Sequence, residues 1–211
     1  MSETLTITAH DGLKLEARLD EPPAPGGVLV LCHPHPKMGG TMNAPLLDAL
    51  SDELVGRGWA VLRFNFRGIG ASEGTTGTGV DEVADATGAL DAARARFDLP
   101  IAIAGWSFGG AVALRTAVED GSLEACCLIA PAVTEKPGVT AGLPSPDGIR
   151  LRSPMLVVCG ANDEQVQPAA CADWATRAGA TYIEIPAANH FFWAKYDKLG
   201  AVVGDFLDAF L

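Results

Sequence analysis

Six short, largely apolar runs alternate with helical stretches along most of this chain, and that alternation leaves few folds open. The runs are Val28–Cys32, Ala60–Phe66, Ile101–Ala104, Ala125–Ala130, Met155–Cys159 and Thr181–Ile185. Helical patterns occupy roughly 43–56, 80–96, 108–119, 168–178 and 197–210. Strands that are apolar continuously rather than alternately are buried on both faces, which requires a mostly parallel sheet with helices on either side. Ahead of them, two alternating segments, Thr4–Ala9 and Leu13–Leu19, meet at Asp11-Gly12. That is a hairpin signal, so an antiparallel pair is expected at one edge of an α/β fold. Pro131–Ser153 breaks the rhythm with Pro131, Pro137, Pro144 and Pro146 and has no helical period. It reads as a surface loop, either a variable connection or the border of a binding cleft.

A chain of 211 residues, 48% hydrophobic and 19% charged, has enough apolar surface for a core without staples. No repeat, charge block or low-complexity linker divides it, so one domain is expected over 1–211. The net charge of −11 repels phosphate backbones and anionic lipid, which argues against nucleic-acid and membrane partners. No apolar run approaches the roughly 18 residues of a membrane span. The opening MSETLTITAH lacks the basic start and apolar stretch of a signal peptide. Five cysteines, an odd number without metal-type spacing, fit reduced thiols in a cytoplasmic protein.

The chemistry concentrates at Gly105-Trp106-Ser107-Phe108-Gly109. A G-x-S-x-G pattern alone proves little, but here an apolar strand precedes it and a small-residue helix (Gly109-Gly110-Ala111) follows. Strand, sharp turn at serine, helix is the arrangement that exposes a nucleophilic hydroxyl, and the glycines make room for the tight turn. The helix N-terminus behind Ser107 supplies unpaired N–H groups for a developing oxyanion. The competing reading is a plain serine N-cap. A serine hydroxyl needs a base. Among His10, His33, His35 and His190, only His190 lies in a loop after the last strand, at the same carboxyl edge of the sheet as Ser107. Asp163, in Gly160-Ala161-Asn162-Asp163 after the preceding strand, is placed to orient that imidazole. A helix cap is the bland alternative for Asp163, and Glu164 is the alternative acid.

A tetrahedral oxyanion needs two donors. The Phe108 N–H is one. The other is expected from His33-Pro34-His35-Pro36-Lys37, where the prolines have no N–H and His33, His35 and Lys37 remain as early donors; His35 is the candidate. A role for the His33 side chain beneath that loop is structural. His-x-His also suggests metal, but no second ligand cluster accompanies it, so neither metal nor cofactor is expected. Phe66-Arg67-Gly68-Ile69-Gly70-Ala71-Ser72 lacks the third glycine of a dinucleotide loop, position 73 being Glu73. Trp106, Phe108, Phe191, Phe192 and Trp193 surround the catalytic candidates; Trp106 and Phe191 are candidates for substrate contact in an apolar acyl pocket, with core packing as the commoner role of such aromatics.

Together these segments resemble the α/β-hydrolase fold, and most closely its small, lidless, dienelactone-hydrolase-like esterases. The resemblance runs from His33-Pro34-His35-Pro36 and Gly39-Gly40 through Phe66–Ser72, Gly105–Gly109 and Gly160–Asp163 to Asn189-His190-Phe191-Phe192. It implies Ser107 as nucleophile, His190 as base, Asp163 as the orienting acid and an oxyanion loop at His35. Dienelactone hydrolases proper carry cysteine where this chain has Ser107, and members with an aspartate nucleophile are excluded by the same residue. Larger members insert a cap where this chain has only Pro131–Ser153, which implies no cap domain and an open site. The expected activity is hydrolysis of carboxylic esters or thioesters of small-molecule substrates through an acyl-enzyme. A peptidase or amidase, or a catalytically idle binding protein of the same fold, are the alternatives, and a homodimer is compatible with the sequence.

Overall fold

The computed structural model describes all 211 residues. In chain order the strands are β1 (Ser2–Thr8), β2 (Lys14–Asp20), β3 (Gly27–Cys32), β4 (Trp59–Phe64), β5 (Ile101–Trp106), β6 (Ala125–Ile129), β7 (Met155–Gly160) and β8 (Thr181–Ile185). The helices are α1 (Pro45–Gly56), α2 (Glu82–Arg96), α3 (Phe108–Asp120), α4 (Pro168–Ala178) and α5 (Tyr196–Leu207). The strands form one sheet ordered β1-β2-β4-β3-β5-β6-β7-β8. β1 pairs antiparallel with β2 and β2 antiparallel with β4, while β4, β3, β5, β6, β7 and β8 run parallel. The expected α/β architecture with an antiparallel N-terminal hairpin is therefore observed. The turn residue Gly12 sits at φ +96°, the left-handed region an L side chain avoids.

Alternation along each buried strand distributes the core to both faces. Val28, Val30 and Cys32 point toward α2, α3 and α4, whereas Leu29 and Leu31 point toward α1 and α5. Each fully buried Val or Leu contributes about 1.5–3 kcal/mol, so the central strands carry much of the stability. β4 ends at Phe64 rather than at Phe66. The Asn65 N–H still reaches the Glu16 carbonyl of β2 at 2.8 Å, but the Phe66 N–H leaves the sheet for His33 Nε2 at 3.0 Å.

The chain leaves β3 toward β4 on one side and returns to β5 on the other. That reversal opens a crevice at the carboxyl ends of the strands. Residues 131–153 border it, containing one short 3₁₀ turn (Pro146–Gly148) and a single bridge between Lys136 and Thr140. Distant residues fasten this loop. Arg115 donates to the carbonyls of Gly142 (2.6 Å) and Ala141 (3.3 Å), and Trp174 Nε1 to that of Pro144 (2.9 Å). Burial pushes the Arg115 guanidinium below its ordinary value, and those carbonyls accept its N–H groups. No helix is long and apolar enough to cross a membrane.

Candidate active site

Ser107 joins β5 to α3 at φ +56° and ψ −112°, a conformation that costs an L residue about 1–3 kcal/mol. The neighbouring glycines make it possible. A Cβ on Gly105 would strike the Gly109 backbone, and one on Gly109 would strike the carbonyls of Cys32 and His33. The turn is thus pressed against its own helix and against the end of β3. Ser107 remains partly accessible, and its hydroxyl makes no hydrogen bond to another protein group. The Phe108 N–H, the first of α3, donates to no protein group, whereas Gly110 and Ala111 already donate to the Ser107 carbonyl.

Across the carboxyl edge, Asp163 and His190 are joined. His190 Nδ1 lies 2.8 Å from Asp163 Oδ2, with both side chains buried. The other carboxylate oxygen, Oδ1, accepts the N–H groups of Gln165 and Val166, each at 2.8 Å. Asp163 therefore caps its own turn and holds the imidazole at once, combining the two roles that its sequence context suggested. Glu164 is exposed and takes no part. The two loops are sewn together: Ala161 N–H donates to Ile185 O (3.0 Å) and Asn162 N–H to Ala188 O (2.8 Å). Gly160 permits this approach, since a Cβ there would meet the Ala188 and Asn189 carbonyls. Trp106 Nε1 donates to the His190 carbonyl at 3.1 Å, and its buried ring packs in the core while lining the cleft. Three residues of the histidine loop, Ala187, Phe192 and Ala194, have φ between +52° and +57° without being glycine. Each such residue costs about 1–2 kcal/mol.

The loop after β3 supplies the third side. His35 Nδ1 accepts the Lys37 N–H (3.1 Å), so Nε2 carries the ring proton and donates to Val139 O (3.0 Å), tethering residues 131–153. The His35 backbone N–H donates to no protein group, as an oxyanion donor requires. His33 is fully buried; Nε2 accepts from Phe66 and Nδ1 donates to Pro34 O at 2.7 Å. That is the structural role expected of it. Burial pushes the His33 imidazole down from 6.5 to about 4. Its folded value lies below its unfolded one, so the stability it contributes is complete above about pH 6.5. That contribution declines as the pH falls toward 4. About 2 kcal/mol should be lost by about pH 5. Urea midpoints at pH 7.5 and 5 should show this loss in the wild type and a smaller one in His33→Gln; equal losses in the two would refute it.

Two cavities meet at Ser107, His35, Met38 and Gln165. One, about 280 Å³, runs beneath the 131–153 loop between Val133, Val139, Val166 and Ala170. The other, about 330 Å³, is walled by Trp106, His190, Phe191, Trp193 and Tyr196. Ser107 and His190 both line the second. Met38, Val139 and Gln165 were not legible as lining residues, having only position after a functional residue or within a loop as a signal. Arg67, in the glycine-rich Phe66–Ser72 segment, is bound to Asp85 and Asp11, which gives that loop a structural role. All five cysteines are free and buried. Burial raises the thiols of Cys32, Cys126 and Cys127; that of Cys159 is raised by its hydrogen bond to Cys171 and by burial. They serve as small apolar groups.

A serine on a strained strand-to-helix turn, over a mostly parallel sheet with no inserted cap, is the mark of a lidless α/β serine hydrolase. The chain matches the family described as serine aminopeptidase, S33, over residues 23–149, and it belongs to that family within the α/β-hydrolase superfamily. It is 30% identical over 203 residues to uncharacterized protein RP471 of Rickettsia prowazekii, covering 90% of this chain and 82% of the relative. Among solved structures, XC6422 from Xanthomonas campestris, an α/β serine hydrolase without a lid, is 28% identical with a TM-score of 0.88. That match spans 100% of this chain and 95% of the other. An α/β serine hydrolase homologue from Coxiella burnetii is 27% identical with a TM-score of 0.85, covering 97% of each chain.

Proposed function

We propose that the protein hydrolyses carboxylic esters or thioesters of small molecules through an acyl-enzyme on Ser107. The observation that carries this reading is the Asp163–His190 pair opening into the cavity that Ser107 also lines. With Nδ1–H held by Asp163, His190 Nε2 is unprotonated and takes the proton of the Ser107 hydroxyl as Oγ attacks the carbonyl. The oxyanion is received by the N–H groups of Phe108 and His35. When the carbon–oxygen or carbon–sulfur bond breaks, His190 returns the proton to the departing group. Water repeats the sequence and frees the acid.

The family's description raises cleavage of peptides from a free N-terminus as a second reading. Against it, no Asp or Glu lines either cavity, so an α-ammonium group would meet no carboxylate there. The test is labelling by a fluorophosphonate together with hydrolysis of p-nitrophenyl esters from acetate to decanoate. Labelling at Ser107 with ester turnover is expected. Absence of both in folded protein would favour an idle binding protein; labelling with turnover of aminoacyl-amides but not of esters would favour the peptidase.

A further inference from the structure

We propose that the cavity carrying His190 receives the leaving group, and that Trp193 is the platform for a planar, aromatic alcohol portion of the substrate, the acyl portion lying beneath the 131–153 loop. This rests on the serine-hydrolase reading above. The assignment of the two cavities follows from proton transfer. The proton removed from Ser107 must be delivered by His190 to the oxygen of the departing alcohol, so that oxygen lies on the His190 side of Ser107. Only one of the two cavities is lined by His190, and it is the aromatic one. Of the aromatic residues that sequence context offered as an acyl pocket, Trp106, Phe191 and Trp193 therefore face the alcohol, whereas Phe108 lines the other cavity and Phe192 is buried and lines neither. The acyl group is left the aliphatic cavity of Val133, Val139, Val166 and Ala170.

Trp193 is 62% exposed, unusual for the largest apolar side chain. The backbone holds it there. Phe192 (φ +52°) and Ala194 (φ +57°) flank it in left-handed conformations, with Phe192 fully buried between. The Asn189 side chain accepts the N–H groups of Phe191 (3.1 Å) and Trp193 (3.4 Å). The indole stacks on Phe191 at 4.9 Å and 13°, and the Phe191 ring meets both Trp106 and His190 edge-on. A strained, hydrogen-bonded turn that presents an ordered indole at the mouth of the cavity beside His190 fits a flat π-system. Met38, 71% exposed, lines both cavities and extends the apolar rim.

The test uses acetates of two alcohols of similar acidity that differ in planarity, 2-naphthylmethanol and cyclohexylmethanol. Trp193→Ala should raise KM for the naphthylmethyl ester about tenfold with little change in kcat. The change for the cyclohexylmethyl ester should be under about threefold, and Trp193→Phe should retain most of the naphthylmethyl affinity. The acetyl-enzyme has already lost its alcohol, so its deacylation rate should be the same in wild type and variant. Fluorophosphonate labelling at the wild-type rate would establish an intact Ser107 in each variant. Equal losses on both alcohols, no change on either, or slowed deacylation would overturn the proposal. A wild type that neither labels nor cleaves any ester would instead overturn the serine-hydrolase reading itself.

Discussion

Replacing Ser107 with alanine is expected to lower kcat on any ester the wild type hydrolyses by on the order of 10⁴- to 10⁶-fold, while the melting temperature stays close to that of the wild type. The loss is large because Ser107 alone stands on the strained turn at the head of α3 and no thiol can replace it: the five cysteines are buried in the sheet and on α4. Stability is spared because the hydroxyl has no protein partner to lose, and alanine at φ +56° is no more strained than serine. The N–H groups of Phe108 and His35 remain, so a residual rate above that in water should persist. Measuring kcat for both proteins on one p-nitrophenyl ester, with thermal melts alongside, decides the matter. Activity within tenfold of wild type would remove Ser107 from the mechanism.

Asp163→Asn should cost about 10⁴-fold in kcat with the fold intact, and the hydrogen bonds around Asp163 say why. Oδ1 accepts two backbone N–H groups, from Gln165 and Val166. An asparagine must place its carbonyl oxygen there, because its NH₂ would face two donors. The NH₂ then points at His190 Nδ1 and donates to it. The ring proton is forced onto Nε2, the nitrogen that must be free to accept the Ser107 proton. The imidazole would be well placed and in the wrong tautomer. Kinetics should be paired with ¹⁵N NMR of the histidine, which should report the proton moving from Nδ1 to Nε2. Glu164→Gln, at the exposed neighbour, should leave kcat unchanged. A loss at Glu164 equal to that at Asp163 would refute the assignment of the acid.

Much of this was legible beforehand because the physics involved is local. Continuous apolar runs such as Val28–Cys32 mark strands covered on both faces wherever they occur. Asp11-Gly12 between alternating segments announces its hairpin through glycine's left-handed freedom. The turn at Ser107 announces itself through Gly105 and Gly109, whose missing side chains are needed for that geometry. Placement of Asp163 and His190 in successive loops at one sheet edge then follows from parallel connectivity, since every strand of a parallel sheet ends on the same side.

What lay beyond the sequence depends on contacts between residues far apart in the chain. The choice between Asp163 and Glu164 was open because both follow β7; which one turns inward is set by the Gln165 and Val166 N–H groups and by the approach of the 187–190 loop over Gly160. The anchoring of residues 131–153 draws on His35, Arg115 and Trp174, none of them within the loop's own pattern. The exposure of Trp193 was equally hidden. Its flanking left-handed residues are Phe192 and Ala194, which carry no glycine signal and hold that conformation only because packing of Phe192 and the Asn189 hydrogen bonds outweigh the local strain. Local propensity and periodicity thus determined the layers and brought the serine, the acid and the histidine to one edge. Tertiary packing decided which carboxylate faces the imidazole and how the cleft divides into an aliphatic and an aromatic half, because side-chain direction at loop positions is set by long-range contacts that residue spacing does not encode.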